Sequence, residues 1–136
     1  MRVAEAVVDR VFEAFLTVIP STVVVTRDRG GLSAEAVGDV ESGAGIATIG
    51  YRGLSLPPLP LSQRKRAEIA LRGFIVTLVM LISEALDDPW PPEGHREVRV
   101  AIGPEQDIRV WFGAADHGRA AIRLPVIEWS GPLTAE

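Results

Sequence analysis

Residues 98–124 read VRVAIGPEQDIRVWFGAADHGRAAIRL, and this stretch decides the fold class. Val98, Val100 and Ile102 alternate with Arg99 and Ala101. After a Gly103-Pro104 turn, Ile108, Val110 and Phe112 alternate with Arg109 and Trp111. After a loop over Gly113–Gly118, Ala120, Ile122 and Leu124 alternate with Arg119, Ala121 and Arg123. A period of two puts successive side chains on opposite faces, so the segment reads as a three-stranded meander with one apolar face. Pro125 cannot donate a ladder bond and assigns the third strand to an edge.

Upstream, Asp87-Asp88-Pro89-Trp90-Pro91-Pro92 closes a long helix that Ser62 caps and that runs to Leu86. A stiff Pro57–Pro60 connector leads into it; its PxxP spacing reads as a rigid spacer rather than a polyproline ligand. Val3–Ile19 reads as a first helix, with Glu5, Asp9, Glu13 and Thr17 forming one polar stripe and Pro20 ending it. Thr22–Thr26 is β-branched throughout and reads as a strand. Seven glycines fall between Asp28 and Gly53, where strands are expected at Leu32–Val37 and Ile46–Tyr51 and loop elsewhere. The expected fold is a single α+β domain over residues 1–136. Its helices pack on one face of a mostly antiparallel sheet of about five strands, in the order α-β-β-α-β-β-β. That element order resembles the roadblock/longin-like and profilin-like families, small dimerising or partner-binding modules. The resemblance is of order alone and carries no motif.

The long helix inverts a local rule. Arg64, Lys65 and Arg66 occupy its first turn, while Glu84, Asp87 and Asp88 stand at its end. The macrodipole favours the opposite arrangement, at about 0.3–1 kcal/mol per exposed charge. Its middle, including Phe74, Leu78 and Leu81, is apolar nearly all round. Two copies packed antiparallel about a two-fold axis would bring the cationic start of one to the anionic end of the other and share the apolar circumference. The competing expectation is that the first helix covers the second face and the end charges are solvated.

Composition narrows the function classes. At 136 residues the chain is long enough for one real core, and 47% hydrophobic with 24% charged residues is ordinary globular usage. A formal charge of −4 argues against nucleic-acid binding. The absence of cysteine excludes disulfides and thiolate metal sites and suits a cytoplasmic, reducing compartment. Glu5, Asp9, Arg10 and Glu13 interrupt the N-terminal segment, which therefore does not read as a signal peptide. The apolar run Gly73–Ser83 is about half the ~20 residues a spanning helix needs, so a membrane role is not expected. Thirteen arginines against Lys65 alone, with much Ala, Val and Gly, point to a GC-rich bacterial or phage genome.

Motifs for chemistry are weak. Gly43–Gly50 lacks the Lys-Ser/Thr of a phosphate loop and has Thr48 where a dinucleotide fingerprint needs Gly or Ala. Gly53-Leu54-Ser55-Leu56-Pro57 lacks the last glycine of a nucleophile elbow. Glu93, His95 and Glu97, with Asp116-His117, flank one meander and are the candidates for metal binding or acid–base work, at a spacing that matches no established ligand pattern. Arg99, Arg109, Arg119 and Arg123 surround Trp111 on the outward face, suiting an acidic protein partner or an anionic ligand. Trp90 and Trp129 read as core or rim anchors. With no catalytic constellation and no cofactor motif, the reading is a non-enzymatic homodimeric (or larger) interaction module: an adaptor, regulatory or assembly subunit, such as of a virion or secretion machine. The alternative is a small enzyme or a metal or anionic-ligand binder using His95, His117 and nearby carboxylates.

Overall fold

The computed structural model describes residues 1–28, 30–37 and 45–136. The chain is α+β, with two helices packed against antiparallel sheets. Strands β2 (Val23–Arg27), β3 (Gly31–Ala36) and β4 (Ile46–Gly50) form one sheet in that order. Strands β5 (Val98–Ile102) and β6 (Asp107–Phe112) form the heart of a second. The expected five-stranded sheet is thus divided, with a small third sheet in which β1 (Arg2–Val3) pairs with β9 (Thr134–Ala135). This division departs from the undivided sheet expected from the element order.

The first helix, α1 (Glu5–Leu16), starts two residues later than periodicity suggests. Tertiary pairing is the reason: Val3 N–H donates to the Leu54 carbonyl at 2.8 Å, drawing Arg2–Val3 into a strand. α1 buries Val7, Val8, Val11, Ala14 and Phe15 and turns its acidic stripe outward. The third meander strand is split. β7 (Ile122–Arg123) pairs with Trp111–Phe112, Leu124 N–H still reaches Val110 O at 2.9 Å, and β8 (Ile127–Glu128) resumes on Asp107–Ile108. Pro125 stands at the break, on a sheet edge as its chemistry requires. Arg119, expected on that strand, belongs instead to a 3-10 turn at His117–Arg119.

The second helix, α2 (Gln63–Leu86), holds the two larger sheets together. Ser62 Oγ accepts from Lys65 N–H at 3.2 Å, which is the expected cap. Leu71, Ile75, Leu78 and Ile82 are fully or almost fully enclosed, so both sheets share one core. Phe74, Leu78 and Leu81, expected between two copies, are 2, 0 and 5% exposed within the single chain. They belong to the core because sheets flank α2 on two sides and α1 adds Phe12, whose ring lies 6.5 Å from that of Phe74. By length and apolar content α2 could cross a bilayer; here eight of its residues are packed inside the chain.

One sheet edge is capped in part by α2 itself. Ladder bonds alternate along an antiparallel pair. Since Gly113 N–H bonds Glu97 O and Gly103 N–H bonds Asp107 O, the backbone groups of Val98, Val100 and Ile102 point away from β6. Arg72 Nε–H donates to Val98 O at 2.9 Å, and Glu68 Oε1 accepts from Ile102 N–H at 2.8 Å.

Candidate functional site

What α2 leaves to solvent is a narrow stripe on which Ile69, Gly73 and Met80 are exposed and Val76 half-buried. Met80 is 65% exposed, although it sits mid-helix between anionic and cationic ends. Arg64, Arg66, Glu84, Asp87 and Asp88 make no ion pair among the described residues; Lys65 reaches Glu68 at 3.4 Å. Glu68 and Arg72 lie on the β5 side of the stripe. Thr77 lies on the other side, where with Gly73 at the margin and Ala70, Phe74, Leu32 and Ile49 it lines a groove of about 490 Å³ beside β4. Among the described residues nothing stands within 4 Å of where a Gly73 Cβ would be, so this groove runs openly onto the stripe.

The arginine row forms, but its aromatic centre is covered. Arg99, Trp111 and Arg123 are direct cross-strand partners, with Arg109 two residues along from Trp111. Trp111 is only 9% exposed. The loop after β6 folds back over it: Nε1–H donates to Ala114 O at 2.8 Å, and the His117 ring stands edge-on at 5.4 Å. Trp111 therefore offers no open platform for a planar ligand. Arg99 is paired with Glu97 at 3.0 Å and Arg109 with Asp107 at 3.2 Å. Arg123 donates to Gly118 O, and neither it nor Arg119 has a carboxylate partner among the described residues. Burial, with Arg109 and Arg123 nearby, lowers the His117 pKa below its ordinary value, against the opposing pull of Asp116. Its Nε2 is buried without a hydrogen-bond partner among the described residues.

The two histidines lie toward one end of the meander: Gly113, at a φ of 84°, packs so closely on Gly94-His95 that a Cβ would stand 2.6 Å from Gly94 O. Glu93 is exposed, and Glu97 is engaged by Arg99. Among the described residues no three His, Asp or Glu side chains are grouped to hold a metal. Gly43 and Ala44 of the glycine-rich segment lie outside the described residues, and Ile46–Gly50 is strand β4. Ser55 bridges to Arg2 in the β1 region. Trp90 packs between Phe15 and Phe112, each centroid 6.0 Å away, while half-buried Trp129 donates from Nε1 to Pro132 O.

Sequence reasoning missed a polar cluster at the α1–β2 junction. The Arg27 guanidinium grips Glu5 and Asp9 and stacks over the Tyr51 ring at 5.1 Å; Tyr51 OH donates to Glu5 Oε1 at 3.2 Å. Burial works against the Arg27 charge, but Asp9 and Tyr51 outweigh it and raise its pKa above the ordinary value. Burial, the largest influence on Tyr51, raises the phenol's pKa. Glu5, Arg27 and Tyr51, with Asp28, Arg52 and Gly53, line a cleft of about 430 Å³. The stripe carboxylates Glu5 and Asp9, one turn apart, were the available signal; only the tertiary fold supplies their arginine. No protein-family model matches this sequence, and no curated protein or solved structure shows significant similarity to it.

Proposed function

We propose that this chain is a non-enzymatic interaction module that works as a pair of copies, an adaptor, regulatory or assembly subunit of the cytoplasm. The observation that carries this reading is the exposed apolar stripe Ile69–Gly73–Met80 on a helix where, among the described residues, Arg64 and Arg66 at the start and Glu84, Asp87 and Asp88 at the end have no ion-pair mates. A helix facing water along that stripe would ordinarily carry polar residues there. Two α2 helices running antiparallel would bury Met80 and Ile69 and align Arg64, Lys65 and Arg66 with Glu84, Asp87 and Asp88 of the second copy. Apolar burial drives the association, and the exposed charge pairs set its register. The residues that meet are those of the stripe; Phe74, Leu78 and Leu81 support it from beneath.

The test is the mass in solution of the wild-type chain and of Met80→Glu. The expected result is two chains for the wild type at micromolar concentration and one chain for the variant, with its helical content intact. A one-chain mass for the wild type up to about 100 μM overturns the reading. In this proposal Arg119 and Arg123 remain outside the pair and form the face open to an acidic protein partner.

A further inference from the structure

We propose that the free edge of β4 pairs antiparallel with β4 of a second copy, centred on Thr48, so that two three-stranded sheets become one of six. This rests on the reading that the chain works as a pair, and it adds a second contact to that of the helices.

The backbone identifies the edge. Ala36 N–H donates to Gly45 O at 2.7 Å and Tyr51 N–H to Gly30 O at 3.4 Å. With the alternation of an antiparallel ladder, Gly45, Ala47, Ile49 and Tyr51 bond to β3. The N–H and C=O groups of Ile46, Thr48 and Gly50 point the other way and find no partner among the described residues.

The opposite edge of this sheet, β2, is also unpaired among the described residues, but it ends in the charged Arg27. α2 covers the two ends of the β5 edge through Arg72 and Glu68, and β6 lies between β5 and the β7–β8 pair. Proteins guard an exposed edge with charge, proline or a bulge. The β4 sequence IATIG has no charge and no proline, its pairing to β3 is unbroken, and Ile46 is 68% exposed. An edge of this composition is built to be covered.

Symmetry selects the occupant. With the two-fold axis at Thr48, Thr48 faces its own copy and Ile46 faces Gly50, so the exposed isoleucine side chain meets a residue with no side chain to clash. Ile49 meets Ala47 on the face toward α2. The groove lining sets Ile49 level with Ala70, Gly73 and Thr77, the middle of α2. An axis at Thr48 therefore passes close to the helix midpoint and turns α2 antiparallel to its mate, bringing its unlike-charged ends together. Strand edge, helix stripe and charge order all satisfy one axis.

The chain has no cysteine, so a single engineered thiol reports on this geometry without background. In a directly opposed pair the Cα atoms stand about 5.5 Å apart, within disulfide reach. The Thr48→Cys variant is expected to form a covalent dimer under mild oxidation about tenfold faster than Thr26→Cys, which lies on the same sheet face away from the edge. The Thr48 amide, measured on the wild type by hydrogen exchange, is expected to be protected at concentrations where the mass is that of two chains. A two-chain mass with an unprotected Thr48 amide and no preferential cross-linking of the Thr48→Cys variant overturns the strand pairing and leaves the helix pairing standing. A one-chain mass overturns both.

Discussion

Arg72 donates its Nε–H to the carbonyl oxygen of Val98 at 2.9 Å, one turn of helix from Glu68, which receives the amide of Ile102. Two charged side chains of one helix thus take up one carbonyl and one amide on the outer edge of β5. The two bonds differ in value because their surroundings differ. Glu68 has a side chain only 14% exposed, whereas Arg72 is open to water. Glu68→Met is expected to cost about 1–2 kcal/mol, since the Ile102 amide loses its acceptor in a half-dry place. Arg72→Met is expected to cost less than about 1 kcal/mol, because water can replace the guanidinium. Urea titrations of the two variants check the order, and a larger loss for Arg72→Met would contradict it.

Leu78 and Met80 lie two residues apart on α2 and should respond in opposite ways. Leu78 is fully enclosed, so Leu78→Ala opens a cavity and is expected to cost about 2–5 kcal/mol. Met80→Ala removes little buried surface from the single chain and is expected to change the stability of that chain by under about 0.5 kcal/mol. Chemical denaturation at a concentration low enough to populate single chains separates the two effects.

The same pair marks the boundary of what was legible in advance. Alternation in Val98–Phe112 and the capped run from Ser62 to Leu86 announce β5, β6 and α2 almost to the residue, because local pattern decides them. The identity of the face that α2 exposes was not legible. An apolar circumference says that much must be hidden, and only the position of both sheets says that Phe74 is hidden and Ile69 is not. Trp111 failed for a related reason. Its place in the alternation points outward, yet the loop bearing His117 covers it, and loop placement has no period. Residues remote in sequence account for Arg27 as well: Glu5 and Asp9 are twenty-two and eighteen residues away.

Asp87 ends α2 in the left-handed region, at a φ of 51°, with its N–H bonded to Glu84 O. Glycine is the residue that enters this region without steric cost. Asp87 also places a negative charge at the negative end of the helix dipole. Asp87→Gly is therefore expected to stabilise the chain by about 1 kcal/mol, and Asp87→Val, with its branched Cβ, to destabilise it. Thermal melts of both variants test the sign of each.

Arg27 sits 14% exposed between two carboxylates that are themselves about half open to solvent. Replacing it by methionine keeps the stem and removes the charge, leaving Glu5 and Asp9 unpaired across one helical turn. The expected cost is about 1–2 kcal/mol, reduced from that of a buried pair by the solvent around the acids. Adding Glu5→Gln and Asp9→Asn to Arg27→Met is expected to recover part of this loss, because the mutual repulsion goes with the charges. A triple variant no more stable than Arg27→Met would show that the stacking of Arg27 on Tyr51, rather than the ion pairs, supports the junction.

His117 gives the fold a pH response of definite sign. Burial against Trp111, and the approach of Arg109 and Arg123, favour the neutral ring in the folded chain, so its folded pKa lies below the ordinary value of 6.5. Over the interval between the folded and the unfolded pKa the unfolded chain binds the extra proton. Stability contributed by this histidine is then fully present above about pH 6.5 and is lost as pH falls through the folded value. The His117→Phe variant keeps an aromatic edge on Trp111 and cannot be protonated. Comparing denaturant midpoints of the two proteins between about pH 7.5 and pH 5 should show a steeper decline for the wild type. Parallel curves would mean that His117 titrates alike in the folded and unfolded chain, and that its contact with the indole does not oppose the charged ring.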